Sequence, residues 1–361
     1  MKVLMSGNEA IAEAAIRAGC TAYFGYPITP QNELIAYMAK HMLEKNRVFI
    51  QAESEVAAIN MVYGASCAGA RAMTSSAGPG LSLKQEGISY GAGADVSMVI
   101  ANVVRGGPGL GNIAPAQSDY FQATRGGGHG DYYCIVLAPK SVQECADLTY
   151  LAFDLADKYR IPVIILADGM IGQMMEGVVL PPEKALDKLP PRGWTAGKMG
   201  DRAASSSGRR EARHITSINL VPPALEAITL DRFTRYETIK AAEIRFEEIG
   251  CADADLILVA YGTSARVCLG AKMLAEKEGI KLGIFRPITL WPFPYQQLAK
   301  IAARGKPFLT VEMSLGQLVE DVRLSAYEAA AAAKIHLLGH CGGVIPTEEE
   351  VFAETKKILG K

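Results

Sequence analysis

The sequence predicts an α/β fold with two doubly wound domains, each built on a parallel sheet. Short apolar segments of strand length alternate with helical segments up to about residue 180, and the alternation resumes at about residue 254. An apolar content of 49% and 36 glycines suit buried parallel strands packed closely against helices. We therefore expect a first α/β domain over residues 1–180, an extended linker over 181–240 and a second α/β domain over 241–361.

The composition argues against several classes of protein. The net charge is −1 and charged residues make up 21% of the chain, so we expect no nucleic-acid partner and no attraction to a membrane surface. The longest apolar runs, 96–104 and 161–167, are too short to span a bilayer. The first seven residues lack the long apolar core of a signal peptide, which predicts a cytoplasmic protein.

Seven cysteines are scattered at wide spacing, and no Cys-x-x-Cys motif occurs. The chain therefore offers no standard ligand set for an iron–sulfur cluster or for zinc, and we expect no metal-binding residues in it. The odd number and the wide spread are typical of reduced, mostly buried thiols.

Strands and helices alternate through the first domain. Predicted helices include 8–18, which precedes the first strand, and 142–159. Glycine-rich loops at 78–80, 106–111 and 126–130 lie near the predicted sheet edges. The predicted strands are 22–24, 48–50, 72–74, 96–103, 134–138 and 163–167.

Two proline pairs, at 181–182 and 190–191, end the first domain. The composition then turns polar and basic over 192–235, which includes the run Ser-Ser-Ser-Gly-Arg-Arg at 205–210. This composition predicts an extended connection with little regular structure, although a basic run is also compatible with a docking surface. A charged amphipathic helix is predicted over 236–249.

The second domain repeats the α/β pattern with four predicted strands. Its predicted strands are 256–261, 282–286, 307–311 and 335–338, and its predicted helices are 264–278, 295–303, 315–333 and a last one from Thr347.

A proline-flanked turn follows the first strand. In Gly25-Tyr26-Pro27-Ile28-Thr29-Pro30 the two prolines fix two φ angles and hold the residues before them out of the α region. Such a turn presents the Thr29 hydroxyl at the edge of a sheet, where α/β proteins bind ligands. A structural alternative is that Thr29 acts as the N-cap of the next helix.

Two acidic residues follow the second strand, and Glu55 begins a helix. A carboxylate at a helix start is usually solvated and stabilised by the helix dipole. Here residues 56–70 carry no charge, so Glu55 is expected to face an apolar region and to be a candidate for acid–base chemistry.

Several ordered motifs together identify a family resemblance that covers almost the whole chain. The combination resembles the α subunit of 2-oxoacid:ferredoxin oxidoreductases, in particular the 2-oxoisovalerate and 2-oxoglutarate members. The resemblance implies a pyrimidine-binding domain of the thiamine-diphosphate-enzyme type, followed by a transketolase C-terminal-like domain. The motifs are Tyr-Pro-Ile-Thr-Pro at 26–30, Ser-Glu at 54–55, Thr-Ser-Ser-Ala-Gly-Pro-Gly at 74–80, Val-Arg-Gly-Gly at 104–107, Gly-Thr-Ser at 262–264 and Arg-Pro-Ile-Thr-Leu-Trp-Pro at 286–292.

The resemblance assigns roles to individual residues. Glu55 is implied as the catalytic carboxylate that bonds the aminopyrimidine of thiamine diphosphate, and Thr29 as a catalytic and substrate-binding hydroxyl. Arg105 is implied to hold the substrate carboxylate, which suits a guanidinium that can bind bidentately. His129, in a glycine-rich loop, is left out of the catalytic set. Further expected contacts are Ile28 to the substrate, and Pro27, Gly78 and Gly80 to the cofactor.

One motif of thiamine enzymes does not occur in the sequence. The Gly-Asp-Gly motif that binds Mg²⁺ and diphosphate is missing, so the chain offers only the aminopyrimidine side of a site. The resemblance therefore implies a β subunit with the diphosphate half, Mg²⁺ and Fe–S chemistry, and a ferredoxin-like Fe–S subunit, with a γ subunit left open. Such a complex converts a 2-oxoacid and CoA to acyl-CoA and CO₂ and reduces ferredoxin. The chain alone is expected to be inactive.

Two alternatives remain open. One is a related thiamine enzyme subunit that uses a different electron acceptor or indolepyruvate-like substrates. The other is a non-catalytic binding or regulatory protein on the same fold, against which the presence of Thr29, Glu55 and Arg105 argues.

Overall fold

A computed structural model describes residues 2–195, 214–328 and 333–361 of the chain. The basic run at 205–210 and residues 329–332 of the predicted helix 315–333 lie outside the described residues.

Strands form three sheets within the described part of the chain. The strands are β1 Val3–Ser6, β2 Ala22–Gly25, β3 Val48–Gln51, β4 Ala72–Ser76, β5 Met98–Val104, β6 Ile135–Leu137, β7 Pro162–Asp168, β8 Met175–Val178, β9 Phe246–Ile249, β10 Leu256–Val259, β11 Leu282–Pro287, β12 Thr289–Trp291, β13 Phe308–Glu312 and β14 Ile335–Gly339.

Helices cover the sheets. They are α1 Gly7–Arg17, α2 Asn32–Glu44, α3 Glu55–Cys67, α4 Gly78–Gly93, α5 Tyr120–Thr124, α6 Val142–Tyr159, α7 Gly169–Gln173, α8 Pro222–Ala242, α9 Gly262–Lys277, α10 Tyr295–Ala302, α11 Leu318–Glu328 and α12 Glu348–Leu359, with a single 3₁₀ turn at Leu186–Lys188.

The largest sheet has seven strands in the order β12-β6-β7-β5-β4-β2-β3, and only β12 runs antiparallel to its neighbour. Its two central strands, β5 and β7, are buried at every position. Helices on both faces of a parallel sheet produce such continuous apolar strands. The predicted α/β class is therefore confirmed.

The second sheet has five strands in the order β14-β13-β10-β11-β9, in which β9 is an antiparallel edge strand. Strands β1 and β8 form a separate antiparallel ribbon. Strand β12 follows β11 in sequence but pairs with β6 of the first sheet. The second half of the chain thus contributes the outermost strand on the β6 side of the first sheet.

Buried polar side chains join the two halves. Asp168, at the end of β7, accepts hydrogen bonds from the backbone N–H of Thr263 at 2.8 Å and from its hydroxyl at 2.6 Å. It also caps α7 by accepting from the N–H of Ile171 at 3.1 Å. Burial raises the pKa of Asp168, while the bonds from Thr263 oppose the rise. Gln117 adds a second connection, since it accepts from the N–H of Met313 at 3.0 Å.

The prediction of an extended segment over 192–235 was wrong for residues 222–235, which belong to α8. Pro222 and Pro223 stand at the first turn of this helix, where a missing N–H costs nothing. Arg232 and Arg235 anchor α8, because both pair with the carboxylate of Asp95.

The predicted helix 236–249 was also wrong beyond Ala242, because residues Phe246–Ile249 form β9. Pairing with β11 and stacking of Phe246 on Phe285, with ring centroids 5.4 Å apart, override the local helical pattern. The second sheet has five strands instead of the four predicted for the second domain, because β9 was not predicted. Strands β1, β8 and β12 were not predicted, and each is short and pairs with a segment distant in sequence.

No helix among the described residues combines the length and the apolar character needed to cross a membrane.

We predict that Asp168→Ala lowers the free energy of unfolding by about 3 kcal/mol, because three buried donors lose a charged acceptor. Urea denaturation followed by circular dichroism measures the change. The control is Asp187→Ala, an exposed carboxylate that should shift stability by less than about 0.5 kcal/mol. Equal stability of the two variants would contradict the role of Asp168 between the halves.

Candidate active site

Four parallel strands bring the predicted site residues to one edge of the first sheet. Strands β2, β3, β4 and β5 are neighbours and all run in the same direction. Their carboxyl ends therefore meet at one edge, where α/β proteins bind ligands. The segments that follow these ends carry the proline-flanked turn, Glu55, the 78–80 loop and Arg105.

Glu55 is the first residue of α3 and is buried, with 7% of its surface exposed. Ser54 caps the helix, since its hydroxyl accepts a hydrogen bond from the N–H of Ala57 at 3.2 Å. Glu53 lies on the exposed surface. The predicted apolar surroundings of Glu55 agree with its burial. No hydrogen bond to the Glu55 carboxylate comes from the described residues.

Gly80 provides the space that the Glu55 carboxylate occupies. A Cβ atom at position 80 would lie 2.5 Å from Oε1 of Glu55, 2.5 Å from Oγ of Ser76 and 3.1 Å from Cδ1 of Ile28. These contacts are shorter than van der Waals distances, so only glycine fits without displacing the carboxylate. The Ser76 hydroxyl is buried without a hydrogen-bond partner in the described structure. Ile28, Glu55, Ser76 and Gly80 therefore form one cluster.

Sequence reasoning missed Lys84, which is completely buried in α4. Its ammonium donates to the hydroxyl of Thr74 at 2.7 Å and to the carbonyl of Ser75 at 2.8 Å. Burial lowers the pKa of Lys84 to about 7, and the nearby Glu55 carboxylate opposes the decrease. The available signal was the spacing, because Lys84 follows Gly80 by four residues and thus lies on the same helix face.

Arg105 braces the proline-flanked turn. Its Nη1 donates to the carbonyl of Thr29 at 2.8 Å and its Nη2 donates to the carbonyl of Leu110 at 3.0 Å. Gly78 adopts a positive φ of 45°, and a Cβ there would lie 3.3 Å from Nε of Arg105. Nε itself is buried without a partner in the described structure. A guanidinium has five N–H donors, so besides the buried Nε–H one donor on each Nη nitrogen remains for a ligand.

The proline-flanked turn stays near the surface. Thr29 is half-buried and its hydroxyl accepts a long hydrogen bond of 3.4 Å from the side chain of Asn32. Helix α2 begins at Asn32 with Gln31 as N-cap, so the alternative of Thr29 as N-cap is wrong. Pro27 is exposed on the same turn.

A cavity of about 590 Å³ lies beside Arg105, between the two halves of the chain. Arg105 and Asp119 are the only charged side chains among the described residues that line it. Burial raises the pKa of Asp119, and a hydrogen bond of 2.9 Å from Asn102 opposes the rise. The remaining lining residues are mostly glycine, proline and apolar, and include Met313 and Leu315 from the second half.

His129 is exposed, and its loop packs on α4, where the carbonyl of His129 accepts from the hydroxyl of Ser89 at 3.0 Å. No group of three or more His, Cys, Asp and Glu side chains converges as a metal site within the described ranges. All seven cysteines are free thiols, and five of them are buried, as predicted.

Comparison with solved structures agrees with this architecture. A split-gene transketolase, described as an inactive β4 tetramer, shares 15% identity and a TM-score of 0.59 over 99% of this chain and 98% of its own, which supports the fold alone. The 2-oxoglutarate:ferredoxin oxidoreductase of Magnetococcus marinus, solved with 2-oxoglutarate, coenzyme A and succinyl-CoA bound, shares 28% identity with a TM-score of 0.83. That match covers 99% of this chain and 65% of the other.

Comparison with characterised sequences gives closer relatives. A ketoisovalerate oxidoreductase subunit VorB from Methanothermobacter marburgensis is 46% identical over 99% of this chain and 98% of its own length. A 2-oxoglutarate synthase subunit KorA from Archaeoglobus fulgidus is 38% identical over 96% of this chain and 97% of its own.

Two family models match the chain. Residues 13–213 match the thiamine-diphosphate-binding model of the pyruvate flavodoxin/ferredoxin oxidoreductases, and residues 254–351 match core domain II of pyruvate:ferredoxin oxidoreductase. The fold is transketolase-like, and the family model defines a thiamine-diphosphate-binding oxidoreductase subunit. The chain belongs to the pyruvate flavodoxin/ferredoxin oxidoreductase family and is a 2-oxoacid oxidoreductase subunit, which confirms the predicted membership.

We predict that Gly80→Ala lowers enzyme activity at least about tenfold while the fold remains intact, because the new methyl group displaces the Glu55 carboxylate. The rate of 2-oxoacid-dependent dye reduction and the melting temperature are measured together. Gly193→Ala is the matched control, since nothing lies within 4 Å of a Cβ at that position. Full activity of Gly80→Ala would contradict the importance of this space.

Proposed function

We propose that the chain is the α subunit of a thiamine-diphosphate-dependent 2-oxoacid:ferredoxin oxidoreductase. In this reaction a 2-oxoacid and CoA give acyl-CoA and CO₂, and two electrons pass through Fe–S clusters of partner subunits to ferredoxin. The observation that carries the proposal is the buried Glu55 carboxylate, which lies at the carboxyl edge of the sheet and accepts no hydrogen bond from the described residues.

Glu55 fits the aminopyrimidine side of thiamine diphosphate. When bound, the cofactor supplies a carbon nucleophile and an electron sink for decarboxylation. The cluster of Ile28, Ser76 and Gly80 would place a ring beside Glu55, whose carboxylate would hold or release a proton at a ring nitrogen. Pro27, on the proline-flanked turn, and Gly78, at the start of α4, would complete the contacts to the cofactor.

Arg105 is proposed to bind the carboxylate of the 2-oxoacid. Two of its donors hold the turn and the glycine-rich loop in place, and the rest are available for a planar anion. The same contact fixes the backbone of Thr29, whose hydroxyl is proposed to hydrogen-bond the substrate at the reacting carbon. Arg105 thus would orient both a substrate group and a catalytic residue.

A branched-chain substrate such as 2-oxoisovalerate is favoured over 2-oxoglutarate. A dicarboxylic substrate needs a second cation, and Arg105 is the only cation among the described residues that line the cavity. The apolar lining and Ile28 suit a branched aliphatic side chain instead. The higher identity to the ketoisovalerate relative, 46% against 38% for the 2-oxoglutarate relative, points the same way.

A β subunit is proposed to complete the site with the diphosphate half and Mg²⁺. Helix α3 exposes a face without charged side chains, formed by Val56, Asn60 and Gly64 at four-residue spacing and continued by its C-cap, Ala68. This face begins one residue after Glu55, so a protein docked there would close the site over the carboxylate. Fe–S clusters are assigned to the β subunit and to a ferredoxin-like subunit, with a γ subunit as a further component.

The complex of the chain with its co-expressed partners tests this function. We expect CoA-dependent reduction of a viologen dye with branched-chain 2-oxoacids, weaker reduction with dicarboxylic and aryl 2-oxoacids, and none with the isolated chain. Absence of activity with every 2-oxoacid, together with no retained thiamine diphosphate, would favour a non-catalytic binding protein.

We predict that Glu55→Gln reduces the turnover of the complex at least about a hundredfold, because the nearly isosteric amide cannot exchange a proton with a ring nitrogen. Deuterium exchange at C2 of the bound cofactor measures the affected step directly. Glu53→Gln removes an exposed carboxylate two residues away and should leave exchange unchanged. Normal exchange in Glu55→Gln would remove Glu55 from the mechanism.

We predict that Arg105→Ala raises KM for the 2-oxoacid by roughly 10- to 100-fold, since a charged hydrogen bond of about 1.5–3 kcal/mol is lost. Steady-state kinetics at saturating CoA measure the effect. Arg323→Ala, on the exposed surface of α11, is the control for removing an arginine. An unchanged KM would mean that another residue binds the carboxylate.

A further inference from the structure

Lys84 is a buried ammonium group without a salt bridge in the described structure. Its hydrogen-bond partners are the neutral hydroxyl of Thr74 and the carbonyl of Ser75. Burying a charged group is unfavourable unless an opposite charge compensates it, and a methionine of similar length would fill the same volume at no electrostatic cost. Glu55 is the one charged group whose field acts appreciably on Lys84.

The contacts of Lys84 and those of the Glu55 carboxylate lie at nearby positions of β4 and α4. Thr74 and Ser76 are two residues apart on β4 and therefore share one face of the sheet. Gly80 and Lys84 are four residues apart on α4 and share one face of the helix. The contacts of the helix and the strand run in parallel. Lys84 donates a hydrogen bond to Thr74, and a Cβ atom placed on Gly80 would contact Ser76 and Glu55.

The direction of the lysine side chain strengthens the pairing. Long side chains on a helix point back toward its N-terminus, so the Lys84 ammonium is carried from its own turn toward Gly80 and Glu55. Its hydrogen bonds to Thr74 and Ser75 then fix it in place. The hydrogen-bond partners of the ammonium are a hydroxyl and a carbonyl of β4, and Glu55 of α3 is the carboxylate whose charge acts on it.

We propose that Lys84 is the positioning residue of Glu55: its ammonium, anchored to β4, stabilises the ionised carboxylate and so favours release of the proton from Glu55 to the group that it faces. The proposal rests on the proposed function only for the identity of that group, the ring nitrogen of the cofactor. The electrostatic coupling between the two side chains belongs to this chain alone.

The first experiment measures the coupling in the full-length chain without cofactor. Lysine labelled with ¹³C at Cε reports the titration of Lys84 by NMR, and Lys84→Met identifies its resonance. We expect Glu55→Gln to lower the pKa of Lys84 by about one pH unit, because a compensating negative charge is lost. Glu53→Gln is the matched control and should leave the titration unchanged.

The reciprocal measurement uses glutamate labelled with ¹³C at the carboxyl carbon. In Lys84→Met the carboxyl resonance of Glu55 should move at neutral pH, since an apolar side chain replaces a cation near the carboxylate. Lys272→Met, which removes a lysine that bonds the carbonyl of Leu282 in the second half, should leave that resonance unchanged. An unchanged Lys84 titration in Glu55→Gln, together with an unchanged Glu55 resonance in Lys84→Met, would overturn the proposal.

The second experiment measures catalysis in the assembled complex. We expect Lys84→Met to lower kcat and the rate of C2 deuterium exchange about tenfold and to leave KM for the 2-oxoacid unchanged, since Arg105 is untouched. A parallel rise of KM would indicate structural damage and count against the proposal. A wild-type complex that is inactive with all 2-oxoacids refutes the proposed function, whereas the NMR result stands by itself.

Discussion

The position of one carboxylate constrains much of the first domain. Glu55 is buried at a sheet edge, and its oxygen occupies the space that a side chain at position 80 would fill. That arrangement requires α3 and α4 to start at matched heights, which follows from their positions after the parallel strands β3 and β4 on the two sides of β2. The ends of β2 and β5, on the two sides of β4, supply the proline-flanked turn and Arg105 at the same edge of the sheet.

The second half of the chain closes one side of the space at the carboxyl ends of the first sheet's strands, so that this space becomes a cleft. Its β12 extends the first sheet, while Asp168 and Gln117 join loops of both halves through buried hydrogen bonds. These contacts place residues 313–317 opposite Arg105, so the cavity has a wall that the first domain alone lacks. The Arg105 guanidinium holds the turn at Thr29 by donating a hydrogen bond to its carbonyl. Substrate orientation thus depends on both halves of the chain.

Local sequence patterns correctly predicted the structural features that depend on local interactions. The helix Val142–Tyr159 was predicted with its observed ends, because a serine cap and regular apolar spacing define it. The burial of Glu55 followed from the uncharged stretch after the helix start. Strands β9 and β12 were missed because their partners lie elsewhere in the chain. Lys84 was missed for the same reason, since its significance comes from Glu55, 29 positions earlier in the sequence.

The buried ammonium of Lys84 makes the electrostatics of the Glu55 cluster different from those of a purely apolar pocket. Burial favours the uncharged form of an acid or a base, whereas a nearby opposite charge favours the charged form. Burial lowers the pKa of Lys84 to about 7, and the Glu55 carboxylate opposes that decrease. An arginine at position 84 would keep a fixed positive charge, whereas a lysine there can lose its proton near neutral pH. Because the hydrogen-bond partners of Lys84 are neutral, the Glu55 carboxylate is the group of opposite charge whose field acts on it, and the proposed coupling follows from that arrangement.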